Sequence, residues 1–185
     1  VNPIHKSSPF LQHFPFLLLY VAIVFVLHED SFSGDERRYY QFAENLTNGF
    51  YSPSLPDFNL WNGPGYPIFL MPFVYFGLPL LSITLFNALF QYLSIVFLHQ
   101  SLRLYLSPKT STFIAVVWAC YYISFQELGG ILTESFSLFL ISLFLYCFVR
   151  VNKKEGLKWG YRSGIVLAYL ALTKIIFGYV ILVML

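Results

Sequence analysis

The sequence predicts an all-α membrane protein, a polytopic helix bundle with juxtamembrane helices in a long first external loop. Hydrophobic residues make up 57% of the chain and charged residues 11%, whereas a soluble domain usually carries about 25% charged residues. So few charged side chains would leave large apolar patches in contact with water. The net charge of +2 gives no indication of a nucleic-acid partner. Long apolar runs, and basic residues that fall mostly on one side of the predicted membrane, also indicate a membrane protein.

Five apolar stretches approach the roughly 20 residues that a helix needs to cross a bilayer. The first could be a signal peptide, but its length and the lack of a small-residue cleavage site favour a retained span. Since the chain starts at Val1 and stops at Leu185 inside an apolar run, we expect an N-terminal section of a longer protein. Residues 1–185 are predicted to form a single transmembrane domain, with spans at about 10–28, 80–106, 111–126, 132–150 and 164–185 and an external loop at about 29–79.

Charge placement orients these spans, because basic residues concentrate on the cytoplasmic side of membrane proteins. A cytoplasmic N-terminus leaves only Arg37 and Arg38 as external basic residues and makes Glu155 the one cytoplasmic acid, while Lys174 falls within the fifth stretch. We therefore predict a multi-pass protein of the cell inner membrane, or of the endoplasmic reticulum in a eukaryote. The cytoplasmic basic residues would be Lys6, Arg103, Lys109, Arg150, Lys153, Lys154, Lys158 and Arg162.

The external loop is long and strongly aromatic, which argues against disorder. Residues 35–48 have helical spacing, and Gly49 is a natural C-terminal stop. After Pro64 and Pro67, a second apolar segment runs to Phe76 and is too short to span a bilayer. It predicts a helix that lies in the membrane interface or dips into it.

Asp35 and Glu36 follow the first span and are the first candidates for chemistry. A carboxylate at the membrane surface can accept a proton from an acceptor hydroxyl, or bind a divalent cation that bridges a lipid phosphate. Alternatively, Asp35 caps the following helix and Glu36 is a favourable first-turn charge. On the residues alone, the capping interpretation is favoured.

The sequence Asn62-Gly63-Pro64-Gly65-Tyr66-Pro67 predicts a sharp, stiff turn before an apolar helix. Such a turn can form one wall of a cavity at the membrane surface, or it can simply mark the start of the helix. Composition favours the simpler interpretation.

Glu134 and Lys174 lie at the edge of, or within, apolar stretches, where an unpaired charge is costly. Glu134 either marks a functional site or complements the dipole of a helix that Thr133 caps. Lys174 in a continuous helix would need a water-filled cavity, an acid or an anion such as a lipid phosphate. Alternatively, two half-helices meet near Lys174 and place it at the external edge.

Other reactive residue types give weaker signals. Cys120 and Cys147 lie in apolar runs and are predicted to be buried thiols. Arg37 and Arg38 can meet a phosphate or form a solvated face of the loop helix. The four histidines show no metal-ligand spacing, and no nucleotide-binding or nucleophile motif occurs.

The order of these features resembles the N-terminal half of the GT-C superfamily of membrane glycosyltransferases. The protein O-mannosyltransferase and aminoarabinose-transferase group is the most similar branch. The resemblance rests on Gly34-Asp35-Glu36, the aromatic helix that follows, Gly63-Pro64-Gly65-Tyr66-Pro67, Leu132-Thr133-Glu134 and Leu172-Thr173-Lys174.

This resemblance implies transfer of a sugar from a polyprenyl-phosphate donor to an acceptor hydroxyl on the external or lumenal face, with inversion. The acceptor would be a protein, a glycan or a lipid. Asp35 would be the general base, with Glu36 supporting it or binding a cation, and Glu134 would orient acceptor or donor. Lys174 would hold the donor phosphate.

Arg37 and Tyr66 complete the implied substrate-binding residues, with Tyr66 in the wall where the lipid enters. The resemblance implies no definite cofactor, leaves any metal ligands unknown and is compatible with a divalent cation. Two other functions stay open: a transporter or flippase whose path Lys174 and Glu134 line, and a non-catalytic scaffold subunit. A transporter would predict inverted repeats, which the sequence does not show.

Overall fold

The computed structural model describes residues 8–53, 56, 58, 60 and 62–184, and every regular element there is helical, which confirms the predicted all-α class. The predicted cytoplasmic residue Lys6, and Asp57 of the external loop, lie outside the described residues. The helices are α1 (Pro9–Leu27), α2 (Glu36–Thr47), α3 (Gly65–Tyr75), α4 (Leu80–Leu102), α5 (Pro108–Ala119), α6 (Ile123–Gln126), α7 (Glu134–Asn152), α8 (Leu157–Thr173) and α9 (Ile176–Met184).

Three of the described helices, α1, α4 and α7, are long and apolar enough to cross a membrane by length and composition. The predicted stretch 111–126 is divided between α5 and α6, and the predicted stretch 164–185 is divided between α8 and α9. Between α8 and α9, Lys174 has an extended backbone with φ −133° and ψ 111°. Of the two alternatives for Lys174, the structure therefore has the break between two shorter helices.

The loop between α1 and α4 contains two helices, as the predicted fold class requires. Helix α2 buries Phe42 and Ala43 and ends before Gly49, which adopts a positive φ of 86°. Helix α3 packs beside it, and the rings of Tyr39 and Tyr66 meet edge to face with centroids 5.4 Å apart. The loop is therefore a packed part of the bundle.

An aromatic core joins α3 to the longer helices. The Phe69 ring stacks on Phe136 of α7 with centroids 5.0 Å apart and contacts Phe90 of α4 at 5.1 Å. Phe90 and Phe136 are themselves 4.9 Å apart. Leu70 and Leu170 are almost fully buried in the same cluster. These contacts fix the turn before α3 relative to α7 and α8.

Side-chain contacts show the directions of α1 and α4. The Thr84 hydroxyl near the start of α4 lies 3.3 Å from the Nδ1 of His28, just beyond the end of α1. His99 near the end of α4 bonds His13 near the start of α1 at 2.8 Å. The two helices are therefore antiparallel.

The later helices α7 and α8 run parallel or antiparallel to α4. Phe90 and Phe97 of α4 pack in order against Phe136 and Tyr146 of α7, so these two helices run parallel. Helix α8 returns antiparallel to α7, because Trp159 packs on Tyr146 and the residue after α8, Lys174, meets Glu134.

The bundle consequently has two chemically different ends. We call the end that contains His28, Glu36 and Glu134 the acidic end, and the end that contains His99 and Arg150 the basic end. Glu36 contacts the backbone of residue 131 at the acidic end, and Trp159 lies against Arg150 at the basic end. The candidate residues of the sequence lie at the acidic end.

Candidate active site

Glu36 is a buried carboxylate that joins two loops at the acidic end. One of its oxygens accepts a hydrogen bond from the Ser33 N–H at 2.8 Å, and the other accepts from the Ile131 N–H at 3.1 Å. A Cβ at Gly130 would lie 2.5 Å from the Glu36 carboxylate, so glycine permits this close approach. Glu36 thereby holds the start of α2 against the segment before α7.

Asp35 has a different environment from its neighbour. Its side chain is 54% exposed and forms an ion pair with Arg38, one turn further along α2. Asp35 occupies the N-cap position of α2 without a side-chain capping bond, and Glu36 is an acid in the first turn, as the capping alternative expected. Arg38 also donates to the Asn62 side-chain oxygen at 3.2 Å, which links Asp35 to the turn before α3.

Glu134 and Lys174 form an ion pair across the acidic end. The Lys174 Nζ lies 2.9 Å from the Glu134 Oε1, and the two side chains are 34% and 42% exposed. Thr133 precedes α7 without a side-chain capping bond, and its hydroxyl lies 3.4 Å from the Glu134 carboxylate. The pair therefore neutralises two charges beside apolar helices while leaving both accessible.

Glu127 belongs to the same group of charges. Burial raises the pKa of the Glu127 carboxyl, the Glu134 and Glu36 carboxylates raise it as well, and the Lys174 ammonium opposes this shift. Like charges held near one another disfavour full ionisation. Three carboxylates and one ammonium thus act on one another at the acidic end.

The turn before α3 lies directly against α8. A Cβ on Gly63 would lie 2.0 Å from the Leu172 carbonyl oxygen, and one on Gly65 would lie 2.6 Å from the Thr173 nitrogen. The Tyr169 hydroxyl donates to the Gly65 carbonyl at 2.9 Å. This contact between backbones positions the chain immediately before Lys174.

Tyr66 is fully buried beneath this turn. Burial raises the pKa of its phenol well above 10, and the Glu134 carboxylate contributes. Its hydroxyl has no hydrogen-bond partner among the described residues. Arg37, in contrast, is exposed and lines a surface cavity with Phe32 and Glu44, without an ion pair in the described part of the chain.

A polar pocket of about 340 Å³ opens at the acidic end between the residues before α2 and the segment before α7. Leu27 and Gln126 lie on its border and also line an apolar groove of about 550 Å³ between α1 and α6. A polar pocket that borders an apolar groove suits an amphipathic ligand. The polar pocket is lined by Glu29, Ser31, Ser33, Glu36, Glu127, Gly129 and Gly130, among others.

Sequence reasoning missed Asn87, which supports this pocket from within α4. Its side-chain amide donates to the carbonyls of Leu128 and Gly130 at 3.2 and 2.7 Å. The available signal was an amide side chain inside an apolar span, where polar residues are rare, and α4 carries three of them, Asn87, Gln91 and Gln100. Among the described residues, no group of three or more His, Cys, Asp or Glu side chains is arranged to hold a metal ion.

Residues 64–185 of this chain match the profile of a family described as dolichyl-phosphate-mannose-protein mannosyltransferase. The match contains Tyr66, Glu134 and Lys174, whereas Asp35, Glu36 and Arg37 precede it. Searches of curated proteins and of solved structures found no match. The matched region covers most of the chain and includes the ion pair of the acidic end. The chain therefore belongs to the dolichyl-phosphate-mannose-protein mannosyltransferase family, a GT-C family of membrane glycosyltransferases.

Proposed function

We propose that this glycosyltransferase moves a sugar from a polyprenyl-phosphate donor to an acceptor hydroxyl at the acidic end, with inversion at the anomeric carbon. The observation that carries the proposal is the Lys174–Glu134 ion pair, which is accessible, partly buried and within the family match. A mannosyl donor and a protein acceptor agree with the description of the family.

Lys174 is the proposed contact for the donor phosphate. An ammonium has three N–H donors, and Glu134 accepts from one of them. The remaining donors can reach phosphate oxygens, and their charge would stabilise the phosphate as it leaves the anomeric carbon. Glu134 holds the ammonium in place and is available to orient a sugar or acceptor hydroxyl.

Asp35 is the proposed general base. The acceptor oxygen would attack the anomeric carbon as Asp35 takes its proton and the bond to the phosphate breaks, so a single displacement inverts the centre. Asp35 is half exposed, while Glu36 is buried and occupied by two backbone donors. We therefore assign proton transfer to Asp35 and a positioning role to Glu36.

The test uses membranes that contain the full-length protein, a pool of radiolabelled polyprenyl-phosphate sugars and candidate acceptors. Asp35→Asn should lower donor consumption between about a hundredfold and ten-thousandfold, the usual contribution of a general base. Glu44→Gln, an exposed carboxylate change on the same helix, is the matched control and should retain turnover.

Unchanged turnover in Asp35→Asn at equal expression would remove Asp35 from the mechanism but keep the enzyme. Failure of well-expressed wild-type protein to consume any donor would instead favour the non-catalytic scaffold.

A further inference from the structure

The basic end carries more positive charge than its own side chains neutralise. Three cations surround the Trp159 ring: Arg150 and Arg162 each lie 4.7 Å from its centroid, and Lys158 lies 5.9 Å away. Arg150 pairs with Glu155. In the part of the chain that the structure describes, neither Lys158 nor Arg162 has a carboxylate partner.

An apolar groove of about 340 Å³ opens beside these cations, between α4, α7 and α8. Arg162 and Trp159 belong to this charged cluster and also line the groove. Ile165, one turn further along α8, is 70% exposed on the same groove. Its other apolar walls include Phe97, Leu143 and Val166.

The cluster lies where a membrane surface would be. Helix α7 is long and apolar enough to span a bilayer and ends at Asn152, and α8 begins at Leu157. Tyr146 and Trp159, whose rings meet edge to face 5.7 Å apart, are of the amphipathic aromatic type that concentrates at headgroup level. A bilayer spanned by α7 would place these cations at headgroup level, with the groove extending toward its apolar part.

We propose that the basic end binds an anionic phospholipid, with its phosphate on Arg162 and Lys158 and an acyl chain in the groove between α4, α7 and α8. Charge complementarity selects the headgroup, because the two cations lack acidic partners among the described residues. The adjoining apolar walls select a lipid over a soluble anion. This site lies at the opposite end of the bundle from the proposed catalytic residues.

The experiment places purified full-length protein in phosphatidylcholine nanodiscs that contain an equal fraction of brominated phosphatidylglycerol or brominated phosphatidylcholine. Bromine on an acyl chain quenches tryptophan fluorescence on contact, and the Trp159 signal is the difference between wild type and Trp159→Phe. Brominated phosphatidylglycerol should quench this signal more strongly. Arg162→Gln should reduce that preference about fivefold, the effect of one basic residue near an anionic surface.

Lys109→Gln is the matched control, because Lys109 is an exposed cation at the start of α5 outside the groove, and it should keep the wild-type preference. Equal quenching by both lipids, or an equal loss in both variants, would overturn the proposal. Absence of quenching by either lipid would also overturn it, because protein rather than lipid would then cover the groove. Native mass spectrometry of phosphatidylglycerol retained by wild type and by Arg162→Gln gives a second measurement, independent of the Trp159→Phe variant.

Discussion

Gly63 and Gly65 let the turn before α3 approach α8 more closely than a side chain would allow. The nearest atoms to a Cβ on Gly65 would be the Thr173 Oγ1 at 2.4 Å and the Thr173 nitrogen at 2.6 Å. The hydroxyl can rotate away, but the backbone nitrogen belongs to a helix and cannot. A methyl group here must therefore separate the turn from the chain before Lys174.

We expect Gly65→Ala to destabilise the protein by about 1–3 kcal/mol, the usual cost of overpacking, and to lower donor turnover by displacing Lys174. Gly160→Ala is the control, since a Cβ there meets nothing within 4 Å and alanine is the better helix former. The midpoint of thermal unfolding in detergent and donor turnover are the measurements. Equal midpoints for the two variants would contradict the close approach.

Adjacent acids such as Asp35 and Glu36 show what local sequence can and cannot predict. The sequence places both carboxylates just after the first span, and the structure has both at the acidic end. Which of them is buried depends on Ile131, 95 residues further along the chain. No local pattern carries that information, because the partner is a backbone N–H that every residue except proline possesses.

Helices were more predictable than the interruptions in them. Hydrophobic length and spacing predicted helices where α1, α2, α3, α4 and α7 occur. Local spacing did not predict the interruption after α5 and left the one at Lys174 as an alternative, and the chain just before Lys174 lies against Gly63 and Gly65, which are distant in sequence. His13 and His99 show the same limit, since their sequence spacing suggested no relation, yet antiparallel packing of α1 and α4 brings them to 2.8 Å.

The position of Lys174 between α8 and α9 leads to a prediction about its ion pair with Glu134. Lys174→Met should lower thermal stability and abolish turnover, because the Glu134 carboxylate then faces Glu127 and Glu36 without the ammonium that opposes their repulsion. Adding Glu134→Gln should recover stability without recovering turnover. A double-mutant cycle on unfolding midpoints measures this coupling. A midpoint shift in the double variant equal to the sum of the shifts of Lys174→Met alone and Glu134→Gln alone would show that the two side chains act independently.

The path of α5 and α6 decides how many times the chain crosses the membrane. The start of α5 lies beside the start of α1, where Gln12 donates to Thr112 at 3.3 Å. Midway along α1, the Tyr20 hydroxyl donates to the Ala119 carbonyl at 2.8 Å. Gly129 then lies against the last residue of α1, Leu27. The segment between Thr112 and Gly129 thus runs the length of α1, although neither α5 nor α6 is long enough to span a bilayer alone.

This path predicts that residues before α5 and after α7 lie on the same side of the membrane, opposite the residues after α1. In a background of Cys120→Ser and Cys147→Ala, a membrane-impermeant thiol reagent should label Ser31→Cys in intact cells. Lys109→Cys and Asn152→Cys should react only after permeabilisation, because basic residues concentrate at their end of the bundle and such residues favour the cytoplasm. Labelling of Lys109→Cys and Asn152→Cys on opposite sides would mean that α5 and α6 do not cross. The reverse pattern at all three positions would keep the bundle and invert its orientation, which would place the proposed catalytic residues in the cytoplasm.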